Sequence, residues 1–367
     1  MTGSSSHPLL GVIANPVSAR DIRRIVANAG NLQITDRVNI VLRVLQAARA
    51  AGVARALLMP DRGGIRALLE RHLRRGDDSL PAVEWLGFEP SSSVEDSFTA
   101  TRRLQAAGAA AIVVLGGDGT HRAVVRELVR EPRSNGAALP IAGLSTGTNN
   151  AFPEMREPTI TGLAAGLFAA GRIDAGEALT PNKLLEVLIH PRDGGAVRRD
   201  IAIVDVVITH DRSVGARALW KTGSLAAAYL AFAEPEAIGL SSIGGLLQPV
   251  GRRERGGLAV QLAADPLHTL LTLHAPIAPG LVLPVPVANW QRLAADEPVT
   301  VLQRAGTVAL DGERELAFET GDRVTVTLRE DAFFTIDVAR CMAAAARDGL
   351  LRSPSPGAAA QAPVPPR

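Results

Sequence analysis

The chain has 367 residues, enough for two domains or one large one, and 47% are hydrophobic against 21% charged, a globular composition that excludes a disordered chain. Aromatic residues are only 3%, so the core is built from Ala, Val, Leu and Ile, and a stacking platform for single-stranded bases is excluded. A formal charge of +2 gives no electrostatic reason to expect nucleic acid as a partner, and one cysteine, Cys341, excludes an internal disulfide and a cysteine-based zinc site. The N-terminal MTGSSSHPLL has no basic start followed by a long apolar run, and no stretch of about 18 residues is apolar without a break. A cytoplasmic protein with no integral membrane segment is therefore expected.

In chain order, LLGVIANP (residues 9–16) reads as a buried strand ending in a turn. Val38, Val41, Leu42, Leu45 and Ala48 recur at helical spacing with Asp36 as N-cap and Gly52 closing the helix. Strand ARALLMP (54–60), a helix over 65–73 and strand AVEWLGFE (82–89) follow. Ser93 and Asp96 resemble a capping box opening a helix toward Ala107. Strand AAIVVL (110–115), a helix to about Val129 and strand LPIAGL (139–144) complete the half. Continuous apolar strands alternating with helices mean βαβ units and a parallel sheet covered on both faces. Ligands in such sheets bind beyond the carboxyl ends of the strands. Three strand ends carry loop chemistry there: ANP, GGDGT and STGTNN.

After Ile173 strand-like segments follow one another: KLLEVLIH, RRDIAIVDVVITH, GLAVQLA, TLLTLHA, GLVLPVPV, VTVLQRAGTVAL and RVTVTLRE. One helix is expected over Gly223–Ala233 and a last one over 336–349, the latter packing back on the first domain, with Cys341 as a small core hydrophobe. The expected fold class is α/β: an N-terminal doubly wound, Rossmann-like domain over 8–172 and a mostly antiparallel β-rich domain over 173–335. The Pro- and Ala-rich residues 350–367 read as a disordered tail.

GGDGT places Gly116, Gly117, Asp118, Gly119 and Thr120 at a strand-to-helix turn. Glycines permit positive φ and close approach of a ligand to the backbone, and the amides of such a turn form an anion site. The motif is neither a Walker A loop nor GxGxxG. An aspartate beside phosphate makes sense if it binds a metal or accepts a proton; a glycine-rich turn with Asp118 as N-cap is the alternative. Asp311 and Gly312 lie between two strands and read equally as a type I′ hairpin. Arg20, Arg23 and Arg24 neutralise phosphate beside the ANP turn or form a solvated face. His121 faces the cleft or the surface, Lys221 reaches a phosphate or solvent, and His210 with Asp211 reads as a loop.

VVLGGDGTHRAVV resembles the nucleotide motif of the NAD kinase and diacylglycerol kinase-like superfamily, and the motif order is similar: ANP, GGDGT, STGTNNAFP and a late Asp311-Gly312-Glu313. The resemblance runs over roughly residues 8–348. IANPVSARDIRRIVA and EPEAIGLSSIGG look most like the ATP-NAD kinase and acetoin catabolism protein X branch. It implies a kinase with ATP as donor, Mg²⁺ as cofactor and NAD or another hydroxyl acceptor as second substrate, and homo-oligomers as a family habit. Asn15, Gly116, Gly117, Gly119, Thr120, Thr146, Gly147 and Thr148 hold nucleotide phosphates on this reading. Asp118 is the catalytic carboxylate and carries Mg²⁺, while Asn149, Asn150 and Asp205 contact the acceptor. Asp311, Glu313, Lys221 and Arg20 are further candidates. The chain departs from the NAD kinase pattern at Val204 and Asp205, where an Asn-Glu or Asn-Asp pair is usual, and NAFPE and GRIDAG lean toward the lipid-kinase pattern. A lipid or polyol acceptor, or a non-catalytic nucleotide-binding regulator of a catabolic pathway, are the alternatives.

Overall fold

The computed structural model describes residues 8–16, 32–74, 76, 78–132, 139–146, 150–210 and 222–353. The apolar runs of the first half form β1 (Leu9–Ala14), β2 (Arg55–Leu58), β3 (Ala82–Trp85), β4 (Ala111–Gly116) and β5 (Ile141–Ser145). Between and after them lie α1 (Ile34–Ala50), α2 (Ile65–Leu73), α3 (Val94–Ala106), α4 (Asp118–Arg130) and α5 (Pro158–Ala169). Every residue of β1 and β4 is buried, because helices cover both faces of the sheet. The parallel order β3-β2-β1-β4-β5 is doubly wound, and the change of direction between β1 and β4 opens a crevice beyond their carboxyl ends.

Two helix starts differ from expectation. Gln33 rather than Asp36 is the N-cap of α1, and Asp36 reaches back to accept the Gln33 amide at 3.0 Å. Ser93 does cap α3, but Asp96 accepts the amides of Ser91 and Ser92 at 2.7 and 2.8 Å, so its half of the capping box lies upstream. Gly162 and Gly166 let α5 lie directly on α1: a Cβ at Gly162 would stand 2.6 Å from the Val44 carbonyl oxygen.

The second half contributes α6 (Ala175–Ala178), β6 (Leu179–His190), β7 (Arg198–Ala202), β8 (Asp205–Thr209), β9 (Leu225–Leu230), α7 (Ser241–Leu247) and β10 (Gly257–Leu262). Then come β11 (Leu271–Ala278), β12 (Leu281–Leu293), β13 (Pro298–Thr300), β14 (Gly306–Leu310), β15 (Glu313–Phe318), β16 (Arg323–Ile336) and α8 (Val338–Arg347). The long β16 joins β5 on one side and pairs antiparallel with β6 on the other, which extends the parallel sheet to nine strands with β7 at its edge and β13 beside β16. The remaining seven strands form an antiparallel sheet, β11-β12-β10-β9-β8-β14-β15. One apolar cluster is continuous between the sheets, with Leu185, Val187 and Val326 from the first and Ile208, Tyr229 and Val308 from the second. Helix α8 buries Val338, Cys341, Ala344 and Ala345 in the cluster that β1, α1 and α5 build.

Three segments fold otherwise than their pattern predicts. Residues 198–210 and 299–310, each read as one strand, are each split between the two sheets, as β7 with β8 and β13 with β14. The helix expected over Gly223–Ala233 is a 3₁₀ turn, Thr222–Ser224, followed by β9. Its LAAAYL favours helix by alanine content, but all six residues are buried between β8 and β10, and the two ladders prevail over propensity. Among the described residues no helix is long and apolar enough to cross a membrane. The tail beyond 353 lies outside the described residues.

Candidate active site beyond the ends of the parallel strands

The end of β1, the β4–α4 turn and the segment after β5 meet in the crevice. Asn15 follows β1; its amide donates to the Leu115 carbonyl at 3.2 Å and its Nδ2 to Thr120 Oγ1 at 3.1 Å. The fully buried Arg37 of α1 donates to the Asn15 carbonyl at 2.5 Å. Gly117 is the N-cap of α4 and Asp118 its first residue, so the first-turn amides of a 13-residue helix face this corner. The Thr146 amide donates to the Gly116 carbonyl at 3.3 Å, and Asn150 Nδ2 donates to Ser145 Oγ at 2.8 Å.

The glycines work by their size rather than by positive φ. Gly117 has φ −95°, and a Cβ there would stand 2.7 Å from Asn150 Oδ1. A Cβ at Gly116 would stand 2.6 Å from Thr120 Oγ1. Both positions are bare so that the site's own side chains can close on the turn.

Asp118 is tied to the segment after β5. Its Oδ2 accepts the Ala151 amide at 2.9 Å and its Oδ1 the Phe152 amide at 2.8 Å. A carboxylate has about four acceptor positions, and these two amides take one on each oxygen. The same two residues are held from the other side: Arg252 Nη1 donates to the Phe152 carbonyl at 2.7 Å and Nη2 to the Ala151 carbonyl. Arg252 is in turn fixed by Glu234 Oε2 at 3.0 Å and lies 4.6 Å from the Phe232 ring centroid.

Below this turn is a buried charge cluster. The step from β7 to β8 carries the chain from one sheet to the other and leaves three amides without ladder partners. Asp311 supplies the acceptor: its carboxylate takes the amides of Ile203 (3.1 Å), Val204 (2.8 Å) and Asp205 (3.2 Å). Arg122, one turn along α4 from Asp118, stands 3.8 Å from Asp311 and 3.6 Å from Asp200, and Arg126 a turn further stands 3.4 Å from Asp200. Burial pushes the Asp311 carboxyl up to about 8, against the pull of Arg122 and with Asp205 and Asp118 adding to the rise.

The structure thus brings together Asn15, Gly116, Gly117, Asp118, Thr120, Thr146 and Asn150, with Gly119 in the first turn of α4. Asp205 is buried, its carbonyl accepting the Asp311 amide at 3.0 Å, at the sheet crossover. Asp311 and Gly312 have φ of 50° and 86° and form the two-residue turn between β14 and β15, so the hairpin reading holds and the side chain has a second task. His121 is neither in the cleft nor at the surface. It is buried under the turn with Nδ1 2.9 Å from the Gly117 carbonyl, and burial pulls it down to about 4, so it is neutral. Arg20, Arg23, Arg24, Gly147, Thr148, Asn149, Asp211 and Lys221, and the side chain of Glu313, lie outside the described residues. Arg37, Arg122, Asp200 and Arg252 are not singled out by the motifs; for Arg122 and Arg126 the signal is their spacing of four and eight from Asp118 on one helix face.

Among the described residues no three His, Cys, Asp or Glu side chains converge on a metal position. The donor set still fits Mg²⁺, which is typically held by one or two carboxylates plus substrate phosphates and water rather than by a protein cage.

The fold is a kinase-like α/β fold, and residues 24–173 match the ATP-NAD kinase N-terminal domain family. Residues 183–331 match the acetoin catabolism protein X C-terminal domain. The chain is 61% identical over 355 residues, 96% of each chain, to acetoin catabolism protein X of Cupriavidus necator. It belongs to the acetoin catabolism protein X family. Among solved structures it is similar to yeast NADH kinase complexed with NADH (12% identity, 96% of this chain and 91% of that one, TM-score 0.49). A putative diacylglycerol kinase from Bacillus anthracis aligns with 90% of this chain and 98% of its own at 14% identity and TM-score 0.43.

Proposed function

We propose that the protein is a cytoplasmic ATP-dependent phosphotransferase with a hydroxyl acceptor, NAD being the first to test, and that the crevice beyond β1, β4 and β5 is its active site. The observation that carries the reading is the convergence of Asn15, Asp118, Thr120 and Asn150 around the first turn of α4. Phosphoryl transfer asks for positioning and charge neutralisation more than for covalent chemistry. The N-terminus of α4 would receive phosphate oxygens, and the Asn15–Thr120 hydrogen bond fixes two side chains at that corner. Asp118 is oriented by two amides, and its carboxylate would accept the acceptor hydroxyl proton or ligate Mg²⁺. Asp118 and the substrate phosphates would hold Mg²⁺, which would supply charge neutralisation at the phosphates.

The test is incubation with ATP, Mg²⁺ and NAD, reading NADP, with a parallel screen of polyol and lipid alcohols by ADP release. NADP formation supports the dinucleotide acceptor; turnover of another alcohol with NAD inert moves the acceptor but keeps the chemistry; no ADP release with any acceptor overturns the kinase reading. The 61% identical relative's name, acetoin catabolism protein X, favours one second reading, a nucleotide-binding regulator of acetoin-type catabolism. A regulator keeps its effect in cells when Asp118 becomes Asn, whereas a kinase loses it.

A further inference from the structure

The loop that links the site to the antiparallel sheet is Gly251-Arg-Arg-Glu-Arg-Gly256. Its shape is set from beneath by Lys183 of β6, a buried ammonium that donates to the carbonyls of Gly251 (3.1 Å), Glu254 (2.7 Å) and Gly256 (2.8 Å). Three carbonyls on one cation hold the loop as a metal ion would. Arg252 is thereby presented to the segment after β5 with all three kinds of guanidinium nitrogen in use: Nε on Glu234, Nη1 on Phe152 and Nη2 on Ala151. Its Cζ lies over the rings of Phe232 and Phe152, 4.6 and 5.9 Å from their centroids.

Ala151 and Phe152 therefore stand between two opposite charges, their amides on Asp118 and their carbonyls on Arg252. The peptide that joins them links the two charges directly, its carbonyl (Ala151) on Arg252 and its N–H (Phe152) on Asp118, so each of these two contacts strengthens the other. We propose that Arg252 is a positioning residue of the active site: through the backbone of Ala151 and Phe152 it sets the orientation of the Asp118 carboxylate, and Glu234 with the Lys183-held loop sets Arg252. This rests on the phosphotransferase reading for its effect on turnover, but not for its effect on the backbone.

Two measurements test it separately. The first is hydrogen exchange by mass spectrometry on peptides covering Ala151 and Phe152, in the full chain and in Arg252→Ala and Arg252→Lys. Expected is at least about a tenfold loss of protection there in both variants, because lysine lacks the planar fork that meets Glu234 through Nε and the two carbonyls through Nη1 and Nη2, with β4 and β5 unchanged. Unchanged protection at Ala151 and Phe152 overturns the proposal whatever the turnover.

The second is steady-state kinetics on whichever acceptor the wild type uses. Arg252→Lys is expected to lower kcat about tenfold or more with the KM for ATP within about threefold, and added guanidinium chloride at millimolar concentration to restore part of the kcat of Arg252→Ala. A fall in kcat matched by a fall in the folded fraction, with no rescue, assigns Arg252 to stability alone and overturns the positioning role. A wild type without any turnover refutes the phosphotransferase reading, and the exchange experiment then decides the backbone half of the proposal.

Discussion

Asp118→Asn separates the two tasks that the structure gives this side chain. The carboxylate accepts two backbone amides, at 2.9 and 2.8 Å. Asparagine offers one oxygen and one amine, so one of the two amides of Ala151 and Phe152 then faces a donor. A donor left unsatisfied costs about 1–3 kcal/mol, and demoting the surviving bond from a charged to a neutral acceptor costs about 1 kcal/mol more. Losing a negative charge at the first residue of α4 adds about 0.5 kcal/mol. The partly exposed position of Asp118, which admits water, acts the other way. The net expectation is a loss of about 2–3 kcal/mol, read as a shift in urea midpoint at constant slope. A variant within about 0.5 kcal/mol of wild type refutes the reasoning, because the carboxylate then does not hold the segment after β5.

Two further perturbations address neighbouring parts. Burial pushes the Asp311 carboxyl up to about 8 in the folded protein, above its ordinary range in the unfolded chain, so the folded state binds its proton more tightly. Its stabilisation is complete below about pH 4 and lost as pH rises toward 8, with a slope of at most about 1.4 kcal/mol per pH unit. The difference in unfolding free energy between wild type and Asp311→Asn should therefore vary with pH between 5 and 8; a constant difference contradicts the assignment. Gly117→Ala places a Cβ 2.7 Å from Asn150 Oδ1. It should cost about 1–3 kcal/mol and weaken ATP binding in calorimetry about tenfold; wild-type affinity in a stable Gly117→Ala protein would falsify the closed turn.

The parallel half was legible because its signals are local and repeated. Buried strands such as AIVVL, periodic helices between them and loop chemistry at three strand ends led to the doubly wound sheet and to the crevice. The helix over 65–73 matches its expected range, and the turn at Asp311 and Gly312 follows from the need for positive φ at both residues. What the pattern hides is where a chain changes sheets. RRDIAIVDVVITH has unbroken strand chemistry, yet its middle residues leave one ladder before joining the other, and the carboxylate that satisfies them comes from Asp311, more than a hundred residues away. Local propensity misleads at LAAAYL for the same reason, since two flanking strands decide the outcome.

The candidate site divides in the same way. Asn15, Gly116 to Thr120, Thr146 and Asn150 are found from strand ends and motif. Arg252, by contrast, lies in a charged loop whose importance appears only once the antiparallel sheet is folded against α4 and the segment after β5. Asp118 was readable as the odd carboxylate of a glycine-rich turn, but its two amide partners were not, because they come from the next strand's loop.

The most direct test of the central claim follows the phosphoryl group itself. Purified protein is given ATP labelled in the γ-phosphate, Mg²⁺ and NAD or an alcohol acceptor, and the label is traced to product in wild type and in Asp118→Asn that has been shown to be folded. The account predicts acceptor-dependent transfer by the wild type and a loss on the order of 10²-fold or more in the variant. Folded wild-type protein that binds ATP and transfers no label to any acceptor, or a variant that transfers it as fast as wild type, contradicts it.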